Sequence, residues 1–296
     1  MGKNTKTGLI LEDGGMRAGF VAGALMALMD KEFIDFDYAI GISASVPSLA
    51  YFAAGQRKEI ESIWRDELST PRLLCYENIP TTFLSASPKR PILDIDYLVY
   101  EVFKKKYPVD VSAILRNKMI CKFGVTEVKK AELDYLTPGD KDIYETMKAA
   151  LAVPGCYPRT VCLDGCEYVD GGTVNLLPLE ALQKIEDLDK IVCILSRPPN
   201  CDAEPPTLLN RVLLWRYFRK YDWMLNKIYE ATHKYNEKID LLKRLANAET
   251  GGTFIIFPDE LPPVKFLSRD HSKINRTIDL GYRKVEKIQK EIAGFI

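Results

Sequence analysis

Apolar and amphipathic stretches alternate along the chain from its start. Thr7–Glu12 (TGLILE) is a nearly continuous apolar run of strand length and predicts a short buried strand. Glycines follow, and Gly19–Lys31 (GFVAGALMALMDK) then predicts a helix. Phe36–Ile42 (FDYAIGI) predicts a second strand, leading into a helix of small residues over Ala44–Ala54 that stops at Gly55. Strand, turn and helix alternating within 55 residues predict an α/β fold with a largely parallel sheet. Farther on, Arg57–Leu68 and Asp94–Lys106 read as helices, and Met119–Val128 as a strand. Asp142–Ala152 reads as a helix stopped before Pro154, and Thr160–Val169 as a β-hairpin turning at Asp164-Gly165. Lys190–Ser196 and Thr253–Phe257 read as strands, and Asn275–Ile292 as a closing helix.

No internal repeat, low-complexity tract or flexible linker interrupts this series. The expected organisation is one domain over residues 1–296, with Pro71–Pro91 as an irregular insertion placed to form a lid, and a largely helical segment over 206–247. On a helical wheel that segment has two sides. Leu213, Leu214, Tyr217, Phe218, Tyr221, Met224, Leu225 and Ile228 share one. Arg211, Arg216, Arg219, Lys220 and Lys227 lie opposite, among Trp215 and Trp223, a composition that suits anionic lipid headgroups, a protein interface or an ordinary solvated face.

Composition narrows the function. The 296 residues are 47% hydrophobic, and 12 Phe, 15 Tyr and 3 Trp exclude disorder of the whole chain. Forty-one basic residues balance 41 acidic ones, which argues against a nucleic-acid binder, since that needs surplus cations to displace counterions. The start (MGKNTKTGLILEDGG) has no apolar stretch of signal-peptide length, and Lys6 stands where myristoylation needs Ser or Thr. The longest apolar run, Ala18–Met29, is well short of the roughly 20 residues that span a bilayer. Cys156, Cys162 and Cys166 invite a zinc reading, but His233 and His271 are remote in sequence and no C-x-x-C pair exists. The expectation is a cytoplasmic protein with reduced, mostly buried thiols and no metal.

Three segments carry candidate chemistry. Gly41-Ile42-Ser43-Ala44-Ser45 sits at a strand-to-helix junction, where a tight elbow with small neighbours can hold a nucleophilic hydroxyl clear of the backbone. The helix beyond it aims free N–H groups at the site. The same serine could equally be a plain N-cap. Glu12-Asp13-Gly14-Gly15-Met16-Arg17-Ala18-Gly19 could form an oxyanion hole, a phosphate cradle or only a tight turn, and it fits neither common nucleotide motif. Tyr168-Val169-Asp170-Gly171-Gly172 could project a carboxylate into a cleft, or simply turn. Together they can supply a nucleophile (Ser43), a base (Asp170) and oxyanion donors (Gly14 and Gly15).

As a set, these segments resemble the patatin-like phospholipase family, in particular its bacterial cytosolic-type members. The family's E-G-G-G-M-R-G is similar to Glu12–Ala18 without a gap, its G-x-S-x-G to Gly41–Ser45, and its D-G-G/A to Asp170–Gly172. Ala149–Pro158 and Tyr168–Pro178 are also similar to the family, and the likeness is weakest in Pro71–Pro91. The resemblance implies a three-layer α/β/α sandwich and a Ser–Asp dyad of Ser43 and Asp170. It implies an oxyanion hole of N–H groups around Gly14, Gly15 and Met16, with Arg17 supporting the loop. Gly41 and Ser45 would flank the nucleophile, and Gly171 and Gly172 would complete the base motif.

The expected activity is hydrolysis of acyl esters, as a phospholipase or lysophospholipase of A type, with no cofactor, a lipid substrate and transient contact with a membrane surface. Asp13, Ala18 and Ser45 depart from the family's glycines. An ionised Asp13 about 5 Å from a forming oxyanion would oppose it by roughly 3 kcal/mol at an effective dielectric of about 20, unless it turns away or pairs with Arg17. The departures keep open a lipid- or acyl-binding protein of weak or no activity. The order Ser43, Asp170, then His233 or His271 keeps open an α/β-hydrolase triad.

Overall fold

The computed structural model of the protein describes residues 5–84, 90–185, 188–203, 207–218, 222–248 and 252–296. In it the apolar runs pair into one eight-stranded sheet. Along the chain the elements are β1 (Thr7–Leu11), α1 (Gly19–Asp30), β2 (Tyr38–Ile42), α2 (Ser45–Ala53), α3 (Arg57–Ser62), α4 (Ile79–Leu84) and α5 (Val111–Arg116). Then come β3 (Ile120–Glu127), β4 (Glu132–Leu136), α6 (Ile143–Leu151), β5 (Val161–Leu163), β6 (Cys166–Asp170), α7 (Leu179–Gln183) and β7 (Lys190–Ile194). The last are α8 (Leu208–Tyr217), α9 (Asp222–Ala246), β8 (Thr253–Ile256), α10 (His271–Lys287) and α11 (Gln289–Phe295).

The strand order is β5-β6-β3-β2-β1-β7-β8, with β4 on the other edge of β3. Five strands (β8, β7, β1, β2 and β3) are parallel, while β4 and β6 run antiparallel to β3. Alternate residues of the central strands enter different cores. Leu9, Leu11, Ala39 and Ile194 pack with α1, α2 and α10, whereas Ile10, Ile40, Cys193 and Leu195 pack with α7 and with Tyr235, Ile239 and Leu242 of α9. Helices on both faces make a three-layer α/β/α sandwich and explain why β1 is buried at every position rather than alternating.

Most sequence-read elements form, with differences of physical origin. The two helices read at Arg57–Leu68 and Asp94–Lys106 contain π-helical stretches, Ile63–Glu67 and Tyr97–Lys106. The closing helix starts earlier than Asn275, because Asp270 caps it by accepting Lys273 N–H at 3.0 Å, and it breaks at Ile288 before α11. Strand β4 (ELDYL), absent from the strands read in the sequence, is short and carries two acidic residues, and it forms by pairing with β3. Pro71–Pro91 is not irregular throughout. A 3-10 turn at Tyr76–Asn78 runs into α4, with the Thr81 and Thr82 hydroxyls donating to Asn78 O and the Asn78 amide donating to Pro91 O. Residues 85–89 of that segment lie outside the described residues, as do Arg219, Lys220, Tyr221 and the Leu213 side chain of the two-sided helical reading.

The seven cysteines are free thiols, but only Cys75, Cys121 and Cys193 are buried. Cys156, Cys166 and Cys201 are half-buried and Cys162 is exposed, so the expectation of mostly buried thiols fails. Among the described residues no helix is long and apolar enough to cross a membrane.

The tightest helix contact is α1 on α10, which meet at two glycines. A Cβ on Gly23 would overlap the Ile278 carbonyl, and one on Gly281 would overlap the Phe20 carbonyl. Gly23→Ala and Gly281→Ala are each expected to destabilise the fold by about 2 kcal/mol despite alanine's better helix propensity. The midpoint of urea unfolding measures this, and an unchanged midpoint for both would contradict the close crossing.

Candidate active site

Ser43 follows the last residue of β2 and has φ of +55°, a left-handed conformation that non-glycine residues adopt at a cost of about 1–3 kcal/mol. The turn is closed by Val46 N–H donating to Ser43 O at 2.9 Å. Ser43 makes no capping bond to the helix, which removes the N-cap reading. Its hydroxyl instead donates to Asp170 Oδ2 at 2.6 Å, with both side chains buried. The elbow needs Gly41, where a Cβ would press on Val46 and Leu49 at 3.3 Å. Ser45, fully buried, donates to Glu12 O at 2.6 Å and so ties the elbow to the end of β1, a bond glycine could not make.

Asp170 reaches Ser43 through strand register. Ile42 pairs with Gly124, and Asp170 pairs with Val125, the next residue of β3. Since β4 occupies the other edge of β3 there, β6 continues on the side where β2 ends. The residue after Ile42 therefore arrives beside Asp170. Thr126 Oγ1 donates to Asp170 O at 2.9 Å, and Asp170 N–H donates to Ala152 O at 3.1 Å. Gly172 N–H donates to Asp170 Oδ1 at 2.7 Å and orients the carboxylate. Gly171 passes so close to β3 that a Cβ would lie 2.5 Å from Gly124 O.

The glycine loop is built differently from the expected oxyanion hole. Gly15 has φ of +53°, and a Cβ there would lie 2.5 Å from Phe266 O. Met16 N–H, expected to face an oxyanion, donates to that Phe266 carbonyl at 3.0 Å. Gly15 N–H donates to Asp13 Oδ1 at 3.3 Å. The Arg17 backbone N–H donates to Gly14 O at 3.0 Å, and its guanidinium lies 6.0 Å above the Phe266 ring. Behind the loop, Ser196 Oγ donates to Asp13 O at 2.9 Å, Ser196 N–H donates to Glu12 Oε2, and Arg197 Nε faces Glu12 Oε1 at 3.4 Å.

Asp13 neither turns away from the site nor pairs closely with Arg17. Its Oδ2 lies 2.5 Å, and Asp170 Oδ1 3.2 Å, from the point a Gly172 Cβ would occupy. Burial pushes Asp170 well above the usual carboxylate range, and the Asp13 carboxyl pushes it further, against the Ser43 hydroxyl and Gly172 N–H. Burial also raises Asp13, against Ser43, Arg17, the Gly15 N–H and Arg197. The repulsion expected of Asp13 presumed a full charge, and burial disfavours that charge. Glu12 is raised by burial too, offset in part by Arg197, and Cys156 is pushed up to about 12 by burial and by Asp170.

The histidines are elsewhere. His233 is on the exposed face of α9, 3.3 Å from Glu237, and His271 opens α10 beside Asn275. An apolar cavity opens at the elbow, lined by Trp64, Leu98, Phe103, Leu151 and Phe266 among others. Of its lining side chains only Ser43 and Trp64 carry a polar atom, and Trp64 Nε1–H is committed to Ser48 Oγ at 2.9 Å. Ser196, Arg197 and Phe266 were missed in the sequence. The first two had a signal, being polar residues at the carboxyl end of a predicted parallel strand, where α/β sites gather. Phe266 had none.

Residues 9–182 match the family model described as patatin-like phospholipase. YjjU of Escherichia coli strain K12, itself uncharacterized, is 27% identical over 215 residues, which is 70% of this chain and 56% of YjjU. The chain thus spans a little over half the length of that relative. The crystal structure of VipD from Legionella pneumophila aligns over 97% of this chain and 67% of VipD, with a TM-score of 0.54 at 15% identity, a likeness of fold.

A raised carboxyl is a stability statement. An aspartate whose folded pKa lies above its unfolded value near 3.8 favours folding fully below that value, and the advantage is lost as pH rises toward the folded value. Asp170→Asn has no proton to lose, so its melting temperature should exceed that of the wild type at about pH 8, and the gap should close toward about pH 4. Thermal unfolding across that range tests it; a gap that widens on acidification would contradict the burial argument.

Proposed function

The chain belongs to the patatin-like phospholipase family, and on that premise we propose that it is a serine acyl-ester hydrolase, a phospholipase or lysophospholipase of A type. The observation that carries the reading is the place of Ser43. It is bonded to the buried Asp170 carboxyl at 2.6 Å and lines an otherwise apolar cavity. A nucleophile there meets a carbonyl whose chain lies among Trp64, Leu98 and Phe103, while a headgroup stays outside. Each methylene buried contributes about 0.8 kcal/mol, which favours long acyl chains over polar acids.

Ser43 Oγ attacks the ester carbonyl as its proton passes to Asp170. The oxyanion forms beside the Gly14–Gly15 loop, and the leaving alcohol takes its proton from Asp170. Water then repeats the sequence on the acyl-serine: it gives a proton to Asp170, attacks, and Ser43 leaves reprotonated. No metal or histidine is needed for these steps.

The proposed setting is the cytoplasm, with transient contact at a lipid surface. Phe218, Met224 and Ile228 pack with Val128 and Val169 under the strand that carries Asp170, leaving Val212, Trp215 and Trp223 outward, with Trp215 58% exposed. Binding of Trp215→Ala/Trp223→Ala to anionic phosphatidylserine vesicles should fall at least tenfold in co-sedimentation. Wild type that ignores anionic lipid would remove this part of the proposal.

A fluorophosphonate is expected to label wild type but not Ser43→Ala, and Ser43→Ala should lose p-nitrophenyl-ester hydrolysis by about a thousandfold or more. Leu98→Trp should shift preference toward shorter acyl esters by filling the cavity. Absence of labelling and turnover in wild type would leave the acyl-binding alternative instead.

A further inference from the structure

Two carboxyl groups, not one, meet at Ser43. Asp170 takes its hydroxyl hydrogen bond, and Asp13 approaches from the end of β1, so that both carboxyls border the space a Gly172 Cβ would fill. Both are buried, Asp13 5% and Asp170 3% exposed. The other groups facing Asp13 are the Ser43 hydroxyl, the Gly15 N–H, Arg17 of its own loop and Arg197 beyond β7, with Glu12 as its chain neighbour. Asp170 is faced by Asp13, Ser43, the Gly172 N–H and Cys156.

We propose that Asp13 is a further catalytic residue, which shares a single proton with Asp170 across Ser43 and acts as the neutral member of the pair. The inference rests on the hydrolase reading above, and deepens it. Two carboxyls buried around one hydroxyl, with Arg17 and Arg197 acting on Asp13 and no cation among the groups that act on Asp170, resist ionising together near neutral pH. Burial raises both groups, in agreement with one retained proton. At rest the pair holds one proton; in the form that reacts it sits on Asp13, and Asp170 is ionised and accepts the Ser43 proton. During attack the Ser43 proton moves to Asp170 and the carbonyl electron pair becomes the oxyanion, so the site carries one negative charge before and after. Asp13 keeps its proton and faces the reacting oxygen as a hydrogen-bond donor instead of a repelling charge. Collapse returns the electron pair, and the leaving alkoxide departs with the proton from Asp170. The aspartate in place of the family's glycine thus puts a second carboxyl beside the reacting oxygens without adding a second charge.

The test is the pH dependence of kcat/KM for a p-nitrophenyl acyl ester. Wild type should give a bell, its alkaline limb falling tenfold per pH unit as the shared proton is lost. Asp13→Asn keeps a donor but cannot ionise; it should stay within about tenfold of wild type at neutral pH and lose the alkaline limb. Asp13→Gly should gain no rate at neutral pH. An unchanged alkaline limb in Asp13→Asn, or an Asp13→Gly variant more than tenfold faster, would overturn the proposal.

Carbon-13 NMR of aspartate carboxyls in wild type gives a readout independent of turnover. The pair should retain one proton to above about pH 7, and Asp13→Asn should abolish that late titration. Two carboxyls both ionised by about pH 5 would end the idea even if the enzyme is active. A late titration in a protein that hydrolyses no ester would instead support the pair and defeat the hydrolase reading.

Discussion

The hydrogen bond between Ser43 and Asp170 depends on the register of one strand. Strand β3 presents Gly124 to Ile42 and Val125 to Asp170, so consecutive residues of a single strand receive the ends of β2 and β6. A hydroxyl and a carboxylate 127 positions apart meet only because of that adjacency. A shift of β6 by one residue would turn Asp170 to the other face of the sheet. The absence of side chains at Gly124 and Gly171 belongs to the same constraint, because the two backbones must touch for the strand ends to abut. The Asp13 loop joins from β1, the neighbour of β2, so each contributor leaves the sheet at one end of its central strands.

Holding this arrangement works against stability. Ser43 is strained, and buried carboxyls lose hydration without a close cation at Asp13 or Asp170. The offset comes from bonds that fix backbone rather than side chains. Ser45 holds the carbonyl of Glu12, Ser196 holds that of Asp13, and Thr126 holds that of Asp170. Three hydroxyls, each from a different segment, thus pin the segments on which the reacting groups ride. Ser45 and Ser196 in particular fix the β1 end from two sides, which leaves the Asp13 side chain one place to go.

Local features of the sequence were legible where local physics decides them. The unbroken apolar runs at β1 and β2 signalled strands covered on both faces, Asp142 signalled a helix start, and Asp164-Gly165 signalled a hairpin whose two turn residues do take positive φ. The elbow and its partner Asp170 were legible because their neighbours must be small. What could not be read depends on contacts made across the chain. Strand β4 is specified by an available edge, and the π-helical stretches by packing around the cavity. The use of Met16 N–H depends on Phe266, some 250 residues away along the chain. Asp13 was read with a full charge because a sequence does not reveal that a second carboxyl will be buried beside it.

The cavity and the carboxyl pair are two results of one environment. Apolar side chains around Ser43 favour an acyl chain by excluding water, and the same exclusion favours the neutral form of any nearby carboxyl. A hydrated site could keep both carboxyls ionised and would then oppose the oxyanion; a dry one leaves a single charge to be passed from Asp170 to the substrate and back. In the proposed hydrolase the apolar lining would therefore both select the acyl group and set the charge state in which Ser43 reacts.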